Sequence, residues 1–159
     1  MTWFRRTQEP VAPPGPDPAD TPDGMLKVLF ERTSEINQNA GHLPVEAVVV
    51  GRRVLDAVRE VIDTSSEREL DMRAVVALRG ILEDYLPTTL RTYLALDVSM
   101  VDTPQASGRT PAESVVEQLE TLWESATDLL QALRAHDADA LLTQGSFLRT
   151  KFSRSDLDL

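Results

Sequence analysis

Two histidines and a row of carboxylates are the side chains whose types could support catalysis or metal binding. His42 lies beside Gly41 in a predicted turn, and His136 is predicted at a helix end, just before Asp137. Neither is the histidine of a Glu-x-x-His or His-x-x-x-His motif, the spacings that place two metal ligands on one helix face. A histidine near a helix C-terminus is favoured by the helix dipole alone. We therefore expect structural roles for both.

Five carboxylates recur at helical spacing after residue 110, as the ligands of a metal-binding bundle would. Apolar residues between them, among them Leu119 and Trp123, supply the predicted buried face. The carboxylates are therefore predicted to face solvent, with Arg52, Arg59 and Arg79 as candidate partners in exposed ion pairs. We assign no metal ligand and expect no cofactor. The five carboxylates are Glu113, Glu117, Glu120, Glu124 and Asp128.

Motifs that carry catalysis are lacking from the rest of the chain. It contains no cysteine, no Gly-x-Gly-x-x-Gly, no phosphate-binding Gly-rich loop and no Gly-x-Ser-x-Gly elbow. Tyr85 and Tyr93 lie two helical turns apart and are predicted to pack in the core, with their hydroxyls at its rim. We therefore assign no catalytic residue and expect a protein that is not an enzyme.

The chain is acidic, with a formal net charge of −10, and phosphate backbones repel it. Nucleic acid is therefore not an expected partner. No apolar run approaches the 18 residues of a transmembrane helix, and the first residues lack the pattern of a secretory signal. These features predict a cytoplasmic protein.

The segment Trp3-Phe4-Arg5-Arg6 is an exception, because two aromatics in a hydrophilic tail have no core to join. We predict that Trp3, Phe4, Arg5 and Arg6 dock into a groove of a partner protein, or that they rest weakly on an anionic membrane surface. A chance composition at the start of the chain is an equally weighted alternative.

The elements that must position these residues begin after a tail. Residues 1–21 are rich in proline, which cannot donate a backbone hydrogen bond, and are predicted to be disordered. Thr21 then reads as an N-cap, with Pro22 at the first helical position. The first helix is predicted to close at Gly41 and Pro44.

The second and third helices follow from apolar spacing. The run Val48 to Val50 is typical of a strand, but apolar residues continue at helical spacing for three turns and favour a helix ending near Ser65. Ser66 and Glu69 form a capping-box pattern, which predicts the start of the third helix. Pro87 lies inside that helix and predicts a kink or short break at Leu86-Pro87. The predicted apolar stripe consists of Met72, Val75, Val76, Ile81, Leu82, Tyr85, Leu86, Leu90, Tyr93 and Leu94.

The fourth helix is predicted to start at Thr110, where Pro111 and Glu113 complete a capping box. Asp137 is predicted to break it and to cap a last short helix that carries Leu141, Leu142, Phe147 and Leu148. The predicted fold is all-α, an antiparallel bundle of four to five helices. Its boundaries are residues 22–152, followed by a frayed C-terminus at residues 153–159.

The stretch from Tyr85 to Leu94, and above all Tyr85, Leu86, Pro87 and Thr88, resembles the bacterial 5-bromo-4-chloroindolyl phosphate hydrolysis (XpaC-like) family. In that family a Tyr-Leu-Pro-Thr element leads into an apolar helix, a loop, a long amphipathic helix and an aspartate-marked break. The resemblance covers roughly residues 67–150. It implies a helical fold and an accessory role linked to toxic-anion resistance of the tellurite type or to envelope stress.

The family name also implies phosphate-ester hydrolysis, although no catalytic motif can be carried over to this chain. Our interpretation is a non-enzymatic accessory or adaptor protein that binds a protein partner or associates with itself through coiled-coil-like seams. A phosphate-ester hydrolase and a peripheral membrane module that uses Trp3 to Arg6 are the alternatives.

Overall fold

The computed structural model describes the backbone of residues 15–155, and the side chains of these residues except 145 and 147–155. Residues 1–14 and 156–159 lie outside the described residues, and with them most of the predicted tail. The helices are α1 (Pro22–Asn39), α2 (Val45–Thr64), α3 (Met72–Arg79), α4 (Leu86–Leu94) and α5 (Pro111–Ser155). A π-helical segment (Gly80–Tyr85) joins α3 to α4, so the described residues form four rods and no strand. The all-α bundle is confirmed.

The start of α1 follows its sequence signals. The Thr21 hydroxyl accepts a hydrogen bond from the Gly24 backbone N–H at 3.1 Å, and Pro22 occupies the first turn. A 3₁₀ turn (Pro18–Asp20) precedes it, and the Asp17 carboxylate caps that turn at the Ala19 N–H. The chain therefore becomes regular several residues before the predicted end of the tail.

Helical periodicity outweighs β propensity in α2. Val48 and Val50 are buried and Val49 is half exposed, as helical spacing requires, so the helix prediction for this run is confirmed. Gly51 also serves the packing of this helix: a Cβ there would lie 3.0 Å from Ile36 Cδ1 of α1. The glycine therefore permits close contact between the two helices.

The predicted start of the third helix is wrong by several residues. Residues 65–71 form a turn and an extended connection, and α3 begins only at Met72. The cap is Asp71, whose carboxylate accepts from the Ala74 N–H at 2.7 Å. The Ser66 hydroxyl instead donates to the Asp63 carbonyl at 2.7 Å, because the last carbonyls of α2 need donors there.

Pro87 does not break the helix, so the predicted short break is wrong. The backbone passes through π geometry before the proline, and the Leu86 N–H donates to the Ile81 carbonyl, five residues back. A proline ring clashes with the carbonyl four residues before it in an α-helix. Widening the preceding turn lets the rod continue through Leu94.

Asp137 does not break α5, and the predicted separate last helix does not exist. The helix runs without interruption for 45 residues, from Pro111 to Ser155. The Asp137 carboxylate accepts from Arg68 at 2.7 Å, so it ties α5 to the connection before α3 rather than capping a new helix. Aspartate is only a moderately poor helix former, and residues on both sides favour helix.

The rods alternate in direction along the chain. Arg52 and Gly51 of α2 meet Asn37 and Ile36 of α1, as antiparallel neighbours do. Residues at the C-terminal end of α4 lead into a loop whose Val101 carbonyl accepts from the N–H of Ala112 at the start of α5. The α3–α4 rod is therefore antiparallel to α5. The most extensive contacts join α2 and α5, which run in the same direction.

One continuous apolar core holds the four rods together, and the described residues include no buried polar or charged residue. Burial differs from the predicted stripe on the third rod: Met72 and Val76 are 71% and 63% exposed, whereas Leu78, which was not predicted, is fully buried. The large side chains with least exposure are Met25, Ile36, Val54, Val58, Val61, Ile62, Leu78, Leu82, Leu86, Leu90 and Leu119.

Candidate interaction sites

The two histidines lie on different parts of the surface and form no shared site. His42 is exposed in the turn between α1 and α2, where it lines a shallow cavity with Tyr93. His136 is exposed within α5 and lines a groove between α3 and α5. Its predicted place at a helix end is wrong because α5 continues past Asp137.

The five carboxylates of α5 face solvent, as the sequence predicts. The described residues contain no group of three or more potential ligands that could hold a metal ion. The predicted partner Arg79 pairs with Asp20 and Glu83 instead of the stripe. Glu117 of the stripe pairs with Arg109 in the preceding loop. The stripe is thus a charged outer face.

A phosphate-ester hydrolase would need cations to bind the phosphate, and two arginines of α2 are engaged in structural contacts instead. Arg52 donates to the Asn37 side chain at 2.8 Å, and the Arg53 guanidinium lies 3.8 Å from the Trp123 ring centroid. This stacking is a cation–π contact between α2 and α5.

Arg79 joins three segments. It donates to Glu83 at 3.0 Å and to Asp20 at 2.9 Å, and these bonds, Glu83 first, raise the pKa of its guanidinium. The bond to Asp20 fastens the 3₁₀ turn before α1 to the third rod. Because Glu83 is exposed and Arg79 and Asp20 are only half-buried, the network positions segments more than it stabilises the fold.

The Tyr85-Leu86-Pro87-Thr88 element lies where the π segment passes into α4. Leu86 and Pro87 are buried in the bundle, while Tyr85 and Thr88 are exposed. Tyr85 is 57% exposed, so the prediction that it packs in the core is wrong. The π segment is the cause, because the extra residue in its wide turn rotates Tyr85 off the buried face. The Tyr85 ring instead covers Gly80, where a Cβ would lie 3.1 Å from Cε2.

Tyr93 packs in the core, as the sequence predicts for both tyrosines. Its side chain is buried beside the cavity that also contains His42 and Asn39. Burial raises the pKa of its hydroxyl, and the negative charge of Asp102 raises it further. The hydroxyl therefore stays neutral at physiological pH, as a core-rim group.

The most unusual feature is the last part of α5. Among the described side chains, Arg68 and Asp137 form the last ion pair between α5 and the bundle, and residues 138–144 beyond it are all exposed. We call residues 138–155 the α5 extension; at 1.5 Å per residue it is roughly 27 Å long. Leu141 and Leu142 are 70% and 69% exposed. The sequence predicted both in a helix of the bundle, so their exposure was missed.

The candidate docking residues Trp3, Phe4, Arg5 and Arg6 lie outside the described residues. No helix in the part of the chain that the structure describes is both long and apolar enough to span a bilayer.

Comparison with known proteins adds no relative. No protein-family profile, no curated protein and no solved structure matches the chain. The resemblance to the XpaC-like family therefore stays a prediction that rests on residues 85–94. The aspartate-marked break that the resemblance implies is not found at Asp137, where α5 continues.

Proposed function

We propose that the protein is a non-enzymatic adaptor whose bundle presents the α5 extension to a protein partner. One observation carries this proposal: two adjacent leucines, Leu141 and Leu142, are exposed on a helix that continues well beyond its own bundle. Large apolar side chains that are exposed on a projecting helix are typical of an interaction surface.

The energetics of burial support this interpretation. Covering a leucine side chain contributes roughly 1.5–3 kcal/mol, so a groove that covers both leucines supplies a substantial share of the affinity of a helix–groove complex. The extension is also preformed, because α5 is nucleated and packed from Val115 to Leu133 inside the bundle. A preformed helix avoids part of the ordering cost of binding.

The test compares capture of cell proteins by the immobilised chain and by the variant Leu141→Gln/Leu142→Gln. Glutamine keeps helix propensity while it removes the apolar surface. We expect the variant to lose a partner that the parent chain retains. Val98→Gln is the matched control, since Val98 is 84% exposed in the loop after α4, at the other end of the bundle. Equal capture by all three chains would contradict the proposal.

Self-association is the second form of the same proposal. Size-exclusion chromatography with light scattering distinguishes it from binding to another protein, because a dimer held by the extension becomes monomeric in Leu141→Gln/Leu142→Gln. Deletion of residues 1–9 in the same assays tests the separate prediction that Trp3 to Arg6 dock into a partner.

The accessory role in toxic-anion resistance or envelope stress is supported by the family resemblance alone. Phosphate-ester hydrolysis has the same support, and the contacts of Arg52, Arg53 and Arg79 speak for structural roles of those cations. Metal-dependent turnover that one carboxylate substitution abolishes would favour the hydrolase. Binding to anionic vesicles that requires Trp3 and Phe4 and weakens with salt would favour a peripheral membrane module.

A further inference from the structure

A cavity at the base of the bundle lies where the described chain begins. Its volume is about 390 Å³, within the range of roughly 300–1,000 Å³ that is usual for binding pockets. It forms because residues 65–71 run as a connection instead of a helix and leave a gap between the starts of α1 and α3. Its apolar lining consists of Pro16, Pro22, Met25, Leu70, Met72 and Val75.

The apolar lining is partly uncovered. Met25 and Val75 form a buried floor, at 2% and 9% exposure, whereas Met72 at the mouth is 71% exposed. Methionine is a flexible and polarizable side chain that makes favourable contacts with aromatic rings. The cavity therefore fits a flat aromatic group better than a polar ligand.

The charged side chains that line the cavity are of one sign. Among the described residues that line it, the charged ones are Asp20 and Glu69, both acidic. Asp20 already pairs with Arg79, while Glu69 is exposed and has no cationic partner among the described residues. Such a rim repels phosphates and anionic lipid headgroups and attracts an occupant that is aromatic and basic.

The chain itself contains a segment of this chemistry. We propose that the cavity binds the protein's own Trp3-Phe4 pair, with Arg5 and Arg6 next to Glu69. Pro16 is part of the cavity wall. Residues 5–14 are the only ones between Phe4 and Gly15, which directly precedes Pro16. In an extended conformation, at about 3.1 Å per residue, that stretch reaches roughly 30 Å, which is enough to return to the cavity.

The tether favours this occupant over the same sequence in another molecule. A short linker gives the tail an effective concentration in the range of roughly millimolar at the cavity, far above that of a second copy at micromolar protein. The docking contact is therefore intramolecular, and it covers the exposed Met72 side chain at the mouth of the cavity.

The test uses tryptophan fluorescence, because Trp3 and Trp123 are the two tryptophans of the chain. In a Trp123→Phe background only Trp3 emits. We expect its emission to be shifted to shorter wavelength than that of a free peptide of residues 1–14. We also expect it to be protected from acrylamide, and the protection to be independent of protein concentration. Emission equal to that of the free peptide would overturn the proposal, and protection that grows with concentration would assign the cavity to a second copy instead.

Two variants locate the contact. Leu70→Asp places a charge in the cavity wall and is expected to raise the acrylamide quenching of Trp3 about twofold or more, as the indole moves from apolar contact into water. Val98→Asp, in the loop at the other end of the bundle, is the matched control and leaves the quenching unchanged. Equal quenching in both variants would place Trp3 elsewhere.

A charge exchange keeps the proposal testable if Leu70→Asp weakens the fold. Glu69→Arg changes an exposed side chain and is expected to release Trp3, whereas Glu69→Arg combined with Arg5→Glu and Arg6→Glu restores the protection. If the combined variant does not restore the protection of Trp3 while its helical circular dichroism is unchanged, residue 69 does not contact residues 5 and 6.

Discussion

Thr110 and Ser66 both begin a Ser/Thr-x-x-Glu pattern, yet only Thr110 caps a helix. Its hydroxyl accepts from the Glu113 N–H at 3.1 Å, and the Glu113 carboxylate accepts from the Thr110 N–H at 2.9 Å. Pro111 fixes the first helical φ, which favours the start of the helix at that position. Ser66 lies directly after α2, whose unpaired carbonyls bind its hydroxyl first. The motif was therefore visible in the sequence, but the competing acceptors were not.

This difference gives a prediction for two helix starts. Asp71→Ala removes the carboxylate that accepts from the Ala74 N–H and is expected to lower the free energy of unfolding by about 0.5–2 kcal/mol. Ser66→Ala is the control and is expected to change it by less than about 0.5 kcal/mol. Urea denaturation measures both changes. A larger loss of unfolding free energy in Ser66→Ala than in Asp71→Ala would indicate that the helix starts at residue 66.

Two leucines of α5 provide a second prediction at the residue scale. Leu119 is fully buried, and Leu119→Ala is expected to lower the free energy of unfolding by about 2–5 kcal/mol through lost contacts and the cavity that remains. Leu141→Ala makes the same chemical change at a position that is 70% exposed and is expected to cost less than about 0.5 kcal/mol. Similar losses in the two variants, measured in urea, would contradict the placement of Leu141 outside the core.

Tyr93 gives a prediction for alkaline pH. Burial raises the pKa of its hydroxyl in the folded chain, whereas an unfolded tyrosine ionises near pH 10. Above that pH the unfolded state binds fewer protons than the native state, so the free energy of unfolding falls as pH rises through the folded pKa. Below about pH 9 the contribution is fully present.

Urea unfolding between about pH 8 and 11 measures this effect. The variant Tyr93→Phe is expected to lose stability less steeply with pH than the parent chain. Tyr85→Phe retains Tyr93, changes an exposed ring, and should reproduce the parent slope. If both variants follow the parent slope, the buried hydroxyl is not the group that titrates.

At the scale of the element, periodicity predicted the four rods but not the register within them. The sequence locates Pro87 inside a helix and therefore predicts a disturbance there. It does not show that a π segment at Gly80–Tyr85 accommodates the proline. Whether the backbone breaks or widens depends on which carbonyls the surrounding core allows to tilt. The same segment moves Tyr85 to the surface and keeps Leu86 and Leu90 in the core.

The α5 extension gives a prediction for a whole element. Ala140→Pro removes a backbone donor and is expected to unwind part of residues 141–155, which lowers the helical signal at 222 nm. Residues 138–144 are exposed, so the urea midpoint of the bundle should stay unchanged. Ala140→Gln keeps the helix and serves as the control. A drop in the midpoint that is confined to Ala140→Pro would show that the extension packs on the bundle.

For the whole molecule, the sequence predicted an all-α bundle and its apolar interior, because helical spacing of leucine and valine requires a dry core between rods. It did not predict where the packing ends. Leu141 continues the apolar pattern of Leu130 and Leu133, but no rod of the described chain reaches it or Leu142. Burial depends on what lies opposite a helix face, and that information is not local to the helix.

The uninterrupted projection of α5 is the central claim, and a distance measurement tests it most directly. The chain has no cysteine, so pairs of spin labels can be introduced at Ser125→Cys/Thr143→Cys, across Asp137, and at Gln118→Cys/His136→Cys, before it. Each pair is 18 residues apart on exposed positions of α5, which a continuous helix spaces by about 27 Å on the same face.

Pulsed electron paramagnetic resonance is expected to give the same narrow distance near 27 Å, roughly 18 residues of helix, for both pairs. A shorter or much broader distribution for Ser125→Cys/Thr143→Cys alone would show that the helix breaks at Asp137. The last segment would then fold back onto the bundle, and the surface on which the adaptor function rests would not exist.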